Sequence, residues 1–115
     1  MSTRKAAGRS KPLQNYAPVF AALGDEARLR LVAALCVGGA LSITQLTIGM
    51  DISRQAVTKH LAVLAAAGLV RDTKVGRERR WEFEPAQLDA ARRSLEIIAR
   101  QWDHALDKLK LAVET

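Results

Sequence analysis

Residues 43–64, ITQLTIGMDISRQAVTKHLAVL, constrain what this chain can fold into more than any other stretch. Thr44, Gln45, Leu46 and Ile48 fit a first short helix with Ser42 as its N-cap, the GMDI of residues 49–52 breaks the period, and Ser53 caps a second helix. Two short helices joined by so tight a turn make a helix-turn-helix, which we bound at residues 43–67. At about 100° per residue, Val57, Leu61 and Leu64 of the second helix share one narrow stripe. Gln55, Lys59 and Ala62 point the opposite way, and Arg54 and Thr58 lie on the flank of that polar side. The stripe seats the helix on a core, and the opposite side is free to enter a major groove, where Gln pairs with adenine, Arg or Lys with guanine, and Thr with either base or phosphate. Polar residues opposite a core stripe also occur on any amphipathic surface helix, so the pattern needs support from elsewhere in the chain.

That support lies immediately downstream. Gly68 supplies a C-cap, and residues 69–83 read as a hairpin with its tip at Val75-Gly76-Arg77-Glu78, a wing over residues 69–84. In its second strand Trp81 and Phe83 face one side and Arg80 and Glu82 the other, so the aromatics can cover the core. Lys74, Arg77, Arg79 and Arg80 crowd the tip. A basic loop is often only a solvated one, but beside a helix-turn-helix it suits phosphate or minor-groove contact.

The net charge of +6 is unevenly spread. Residues 1–11 carry +4, residues 12–52 carry −1, residues 53–80 carry +5 and residues 81–115 carry −2. Positive charge therefore sits on the second helix, the wing and an N-terminal arm (residues 1–12, expected to be disordered), the footprint of a protein that binds a polyanion. Membrane-surface binding would require large apolar residues on the basic helix, which offers mostly alanine.

Length and composition fit one small domain over residues 13–115, with 49% hydrophobic residues and only five large aromatic rings, so a partner subunit is expected to complete the core. No apolar run is long enough to span a bilayer, and a cytoplasmic location is expected. Asn15 is a candidate cap for a short helix ending at Leu23, with Pro18 tolerated in its first turn. Asp25 caps the next helix, which Gly38-Gly39 stops. Cys36, the single cysteine, falls beside Leu31, Val32 and Leu35, and a buried, inert thiol is expected.

A long last helix is predicted over residues 85–112. Its Leu88, Ala91, Leu95, Ile98, Trp102, Ala105, Leu109 and Ala112 alternate steps of three and four, forming a heptad seam. Asp89 with Arg93 and Glu96 with Arg100 add acid-before-base pairs. A seam of this kind can pack on the chain's own core or on a second copy. Both are expected here, with dimerisation through Leu88, Ala91, Leu95, Ile98, Trp102 and Leu109 together with the N-terminal helix, setting two reading helices roughly 34 Å apart on a near-palindromic site. The expected architecture is mainly α with a small β-hairpin: a winged helix-turn-helix dimerising through its N- and C-terminal helices.

Phe20-Ala21-Ala22-Leu23-Gly24-Asp25 followed by Arg28, the block 53–64 with Val57-Thr58-Lys59-His60-Leu61 at its centre, and Gly68-Leu69-Val70 before the wing resemble the winged-helix repressors of the arsenical-repressor (ArsR) family, over residues 19–83. The resemblance implies a homodimer on double-stranded operator DNA, a repressor released by an effector. It also implies that Ser53, Arg54, Gln55, Thr58, Lys59 and His60 face DNA, with Arg77, Arg79 and Arg80 from the wing. There are departures. Asp51 stands in the turn where the family has glycine, tolerable because Asp can enter left-handed backbone. Ser42 and Thr44 occupy the places of the Cys-x-Cys pair of the thiol-metal branch, so thiolate ligation is lost and the metal-independent branch is expected. Asp103, His104 and Asp107 on the last helix are a thin carboxylate–histidine set, more simply a solvated face, although two sets across a dimer leave a metal open. His60, beside the core stripe, suits a structural or phosphate-contacting role better than a ligand's. No catalytic residue, metal or other cofactor is expected: no Ser/His/Asp or Cys/His set, phosphate loop or cluster of acids in an apolar setting is visible. The alternative is a winged-helix module for protein or RNA contact, for which larger apolar residues would be expected on the 54–59 face.

Overall fold

A computed structural model describes residues 12–114 of the chain. A 3₁₀ turn, Leu13–Tyr16, leads into α1 (Ala17–Leu23); α2 (Glu26–Gly38), α3 (Ile43–Ile48) and α4 (Arg54–Ala66) follow, then the hairpin β1 (Val70–Val75) and β2 (Glu78–Phe83), and finally α5 (Pro85–Glu114). The order is that of a winged helix-turn-helix. Of the arm expected over residues 1–12, residues 1–11 lie outside the described residues, whereas Pro12 is ordered as the N-cap of the 3₁₀ turn and its carbonyl accepts from the Asn15 N–H at 2.9 Å.

Local chemistry accounts for the boundaries. The Asp25 carboxylate accepts from the backbone N–H of Arg28 at 3.1 Å, capping α2. Ser42 and Gln45 make a reciprocal capping box at the start of α3: Ser42 Oγ accepts from the Gln45 N–H at 3.2 Å, and Gln45 Oε1 accepts from the Ser42 N–H at 2.9 Å. Ser53 Oγ caps α4 by accepting from the Ala56 N–H at 3.1 Å. At the other end of α4, Gly68 takes φ +77° and donates to the Ala65 carbonyl, while Leu69 donates to that of Leu64, both at 3.0 Å. This is a Schellman motif, and the two leucines it joins are fully buried.

Two expectations for this part of the chain are corrected. Asn15 does not cap a helix: it lies within the 3₁₀ turn, and α1 begins at Ala17 after Tyr16, with no side-chain cap and with Pro18 in its first turn. The turn before α4 does not use left-handed backbone at Asp51, since no non-glycine residue among those described has positive φ. The four-residue break is long enough to reverse the chain without it.

The core gathers Tyr16, Val19 and Ala22 of the first elements, Leu31, Val32 and Leu35 of α2, Leu46 of α3, Val57, Leu61 and Leu64 of α4, and Leu69, Val70, Trp81 and Ala91. Every member of the stripe read from α4 is buried. Cys36 corrects a third expectation: its thiol is exposed, because Leu35, one helical step away, takes the inward position.

The hairpin pairs Val70 with Phe83 through Val75 with Glu78, leaving a two-residue tip. Gly76 there has φ +66° while Arg77 does not, the pattern of a type II′ turn. Trp81 also exchanges backbone hydrogen bonds with Leu41, at 2.9 and 2.7 Å, tying the wing to the connection that leads into α3. The bridge joins the wing to the start of the helix-turn-helix. The first turns of α5 pack on the 3₁₀ turn and α1, and beyond Glu96 every described residue of α5 is exposed. The molecule measures 66 × 41 × 20 Å as a result.

An alanine at position 68 would have to hold left-handed backbone and would bring its Cβ to 2.9 Å from Gln87 Cγ. We expect Gly68→Ala to lower the unfolding free energy by about 1–2 kcal/mol, measured by urea denaturation; an unchanged midpoint would refute this account of the α4 terminus.

Candidate nucleic-acid interface

The buried stripe of α4 dictates what its other side presents. Arg54, Gln55, Thr58 and Lys59 are exposed and together line an open surface cleft. Ala62, also exposed, follows on the same face of the helix. Arg54 is held at both ends: Thr58 Oγ1 donates to the Arg54 carbonyl at 3.0 Å, and Arg54 Nη1 donates to Thr44 Oγ1 of α3 at 2.9 Å. With its proton so placed, the Thr58 hydroxyl keeps acceptor lone pairs and a methyl group for a ligand, suiting a base amino group or a thymine methyl. Ser53 is exposed at the helix start, but its hydroxyl is occupied with the cap.

His60 is placed differently from the other members of the expected set. Arg28 Nε donates to the Ala22 carbonyl at 2.5 Å and Nη2 to that of Ala21 at 3.4 Å, while Nη1 lies 3.4 Å from His60 Nδ1. The Asp25 carboxylate lies 4.0 Å from the same nitrogen. His60 is therefore turned into the corner between α1 and α2 and joins α4 to both. Its position one step from the Val57–Leu61 stripe carries that signal in the sequence.

The wing's cations divide into two classes. Arg79 Nε donates to Asp72 at 2.9 Å, with its guanidinium 5.0 Å from the centre of the Trp81 ring, and Arg80 Nη2 donates to Glu78 at 3.1 Å. Arg71, at the root, bridges Glu82 at 2.7 Å and Glu84 at 3.3 Å, which raises its pKa. Lys74 and Arg77 have no carboxylate partner among the described residues. All four predicted wing residues share one tip, but two arrive already neutralised. The ion pairs of Arg79 with Asp72 and of Arg80 with Glu78, like the Thr44 contact, are seen only in the structure. Cross-strand pairing places Asp72 opposite Trp81 and so near Arg79, whereas nothing in the spacing links residue 44 to residue 54.

For other chemistry the surface offers little. Among the described residues no group of three His, Cys, Asp or Glu side chains could hold a metal ion, and Asp103, His104 and Asp107 are exposed along α5. No helix among them is long and apolar enough to cross a membrane.

Residues 23–73 match the model of a helix-turn-helix domain family. An HTH-type transcriptional regulator of Mycobacterium tuberculosis is 38% identical over 85 residues, covering 74% of this chain and 76% of that protein. The arsenical resistance operon repressor of Escherichia coli is 34% identical over 67 residues, covering 58% of this chain and 57% of the repressor. Among solved structures, an ArsR-like transcriptional regulator from a Rhodococcus species superposes with a TM-score of 0.73 at 42% identity, covering 84% of this chain and 90% of that one.

Asp25 provides a pH test of the corner that holds His60. The hydrogen bond from the Arg28 N–H, together with the Arg28 and His60 charges, lowers its pKa despite some desolvation. A lowered carboxylate pKa stabilises the fold above the unfolded value, about 4, and the contribution is lost as pH falls through the folded value. We expect the melting temperature of Asp25→Asn to fall less than that of wild type between pH 6 and pH 3; parallel curves would contradict the assignment.

Proposed function

The chain belongs to the ArsR-like winged helix-turn-helix transcriptional regulators, which bind DNA, and on that premise we propose that it is a cytoplasmic homodimeric repressor of a near-palindromic operator, released by a signal that needs no thiolate-bound metal. One observation carries the reading: the side of α4 opposite its buried stripe presents Arg54, Gln55, Thr58 and Lys59 together, with no large apolar residue among them. In the major groove these groups have the donors and acceptors to read bases, Gln55 toward adenine and Arg54 or Lys59 toward guanine. Ser53 and the wing take phosphates, with Lys74 and Arg77 contributing most because Arg79 and Arg80 must first leave Asp72 and Glu78.

Dimerisation is supported by what one protomer leaves uncovered. Leu88 is half-buried and Ala91 fully buried against the protomer's own core, but farther along the same seam Leu95 is 47% exposed, Ile98 45%, Trp102 63% and Leu109 60%. Phe20 of α1 is exposed as well. A contiguous apolar face of this length marks an association surface, and a second copy offers the same face by symmetry. The metal-independent reading is supported by how the residues in the Cys-x-Cys places are used. The Ser42 hydroxyl closes the α3 capping box and that of Thr44 accepts from Arg54, so neither is a soft ligand awaiting an ion.

Selection from a randomised double-stranded DNA library, followed by affinity measurements on the selected site, tests the DNA-reading face. We expect Gln55→Ala to change the preferred base at one position of each half-site at a cost of about 1–3 kcal/mol. Arg77→Ala should weaken all sequences alike and lower the slope of log affinity against log salt by about 1. A base profile identical for Gln55→Ala and wild type would refute α4 as the reader. For the dimer, light scattering at micromolar concentration should give two copies for wild type and one for Trp102→Glu, with operator affinity falling on the order of a hundredfold; a monomeric wild type would end the dimer reading.

A further inference from the structure

The hydrogen bond between the two helices of the motif assigns a role to a residue on the first of them. Thr44, the second residue of α3, accepts from Arg54 Nη1, at the first residue of α4, across ten positions of sequence. The hydroxyl is available for this because the capping of α3 is already complete: Ser42 and Gln45 close the box between themselves. The backbone of Arg54 is held independently by Thr58. Gln55 and Lys59, by contrast, have no side-chain hydrogen-bond partner among the described residues, so the cleft contains one tethered reader and two untethered ones.

An arginine fixed in one orientation forfeits rotamer freedom, and a long side chain that is already fixed before its ligand arrives loses less on binding. The contact uses Nη1 and leaves Nε and Nη2, one edge of the planar guanidinium, with no partner among the described residues. That edge matches the O6/N7 pair of guanine or two oxygens of a phosphate. Threonine is suited to the task because its branched Cβ restricts χ1.

We propose that Thr44 is a positioning residue for DNA recognition: it aims the guanidinium of Arg54, so that preference at one base pair of each half-site depends on a side chain of α3 that itself contacts no base. The inference rests on the reading of α4 as the DNA-reading helix.

The test uses the full chain and the duplex that wild type selects from a randomised library, with single-base variants of that duplex. Arg54→Ala first identifies the base pair whose preference depends on Arg54. We expect Thr44→Val, which keeps the shape and removes the hydroxyl, to weaken binding about three- to tenfold and to flatten preference at that same base pair, leaving the profile elsewhere and the melting temperature unchanged. Thr44→Ser should restore the preference. In the Arg54→Ala background, Thr44→Val should change affinity by less than about twofold, since coupled residues do not add. The proposal is overturned if Thr44→Val costs the same in both backgrounds, if it leaves affinity and profile as in wild type, or if Arg54→Ala alters no base preference. Those outcomes leave DNA reading by Gln55 and Lys59 standing, whereas failure of wild type to enrich any duplex removes that reading and this inference together.

Discussion

The seating of α4 on the core through Val57, Leu61 and Leu64 is the constraint from which the rest of the structure follows. All three are fully buried, in a core that also holds Leu31 and Leu35 of α2 and Leu69 beyond the Schellman turn. Burying each such side chain contributes about 1.5–3 kcal/mol, so this one stripe accounts for several kcal/mol in a domain whose whole stability is of the order of 5–15 kcal/mol. A rotation of α4 about its axis would expose the stripe, and the same rotation would bury Arg54, Gln55 and Lys59. The burial that seats α4 and the direction in which its polar side faces are therefore one geometric fact. Smaller contacts refine it: the Ser53 cap sets where the helix starts, and the Arg28–His60 contact fastens its flank to α1 and α2.

Electrostatics act on this frame with finer control than the net charge suggests. The wing gathers its arginines at one end but supplies carboxylates for Arg79 and Arg80 within the same hairpin. Exposed pairs of this kind are worth about 0–1 kcal/mol, so they hold the side chains in place without locking them, and a phosphate can displace the carboxylate at small cost. Lys74 and Arg77 need no such exchange. On α5, the Asp89 and Glu96 carboxylates are taken up by Arg92, Arg93 and Arg100 along the helix, and the Arg92 charge and hydrogen bond lower the pKa of Asp89. That chemistry keeps the helix surface solvated on one side and leaves the apolar seam on the other.

The seam divides into two parts with different roles. Ala91 and Leu88 belong to the chain's own core, whereas Leu95, Ile98, Trp102 and Leu109 lie on a helix that runs out past the domain. So long an exposed apolar face leaves hydrocarbon in contact with water, and the proposed pairing with a second copy would cover it.

Periodicity carried most of the architecture. The α4 stripe, the Asp25, Ser42 and Ser53 caps, the Gly68 stop, the hairpin turn at residues 75–78 and the start of α5 were all legible in the sequence, because each depends on residues within a few positions of one another. Where the expectations are corrected, burial decided between close neighbours in the chain. Asn15 was out-competed as a cap by a 3₁₀ turn that buries Tyr16, and Cys36 lost the inward position to Leu35. For the site, the sequence by itself determined which side of α4 is polar and which residues stand on it. Only the tertiary structure decided that His60 turns to Arg28, that Asp72 and Glu78 occupy two of the wing's arginines, and that Thr44 holds Arg54. A hydrogen bond or ion pair depends on angstrom-scale distances between groups that the chain brings together only on folding, and helical or strand periodicity has no bearing on those distances.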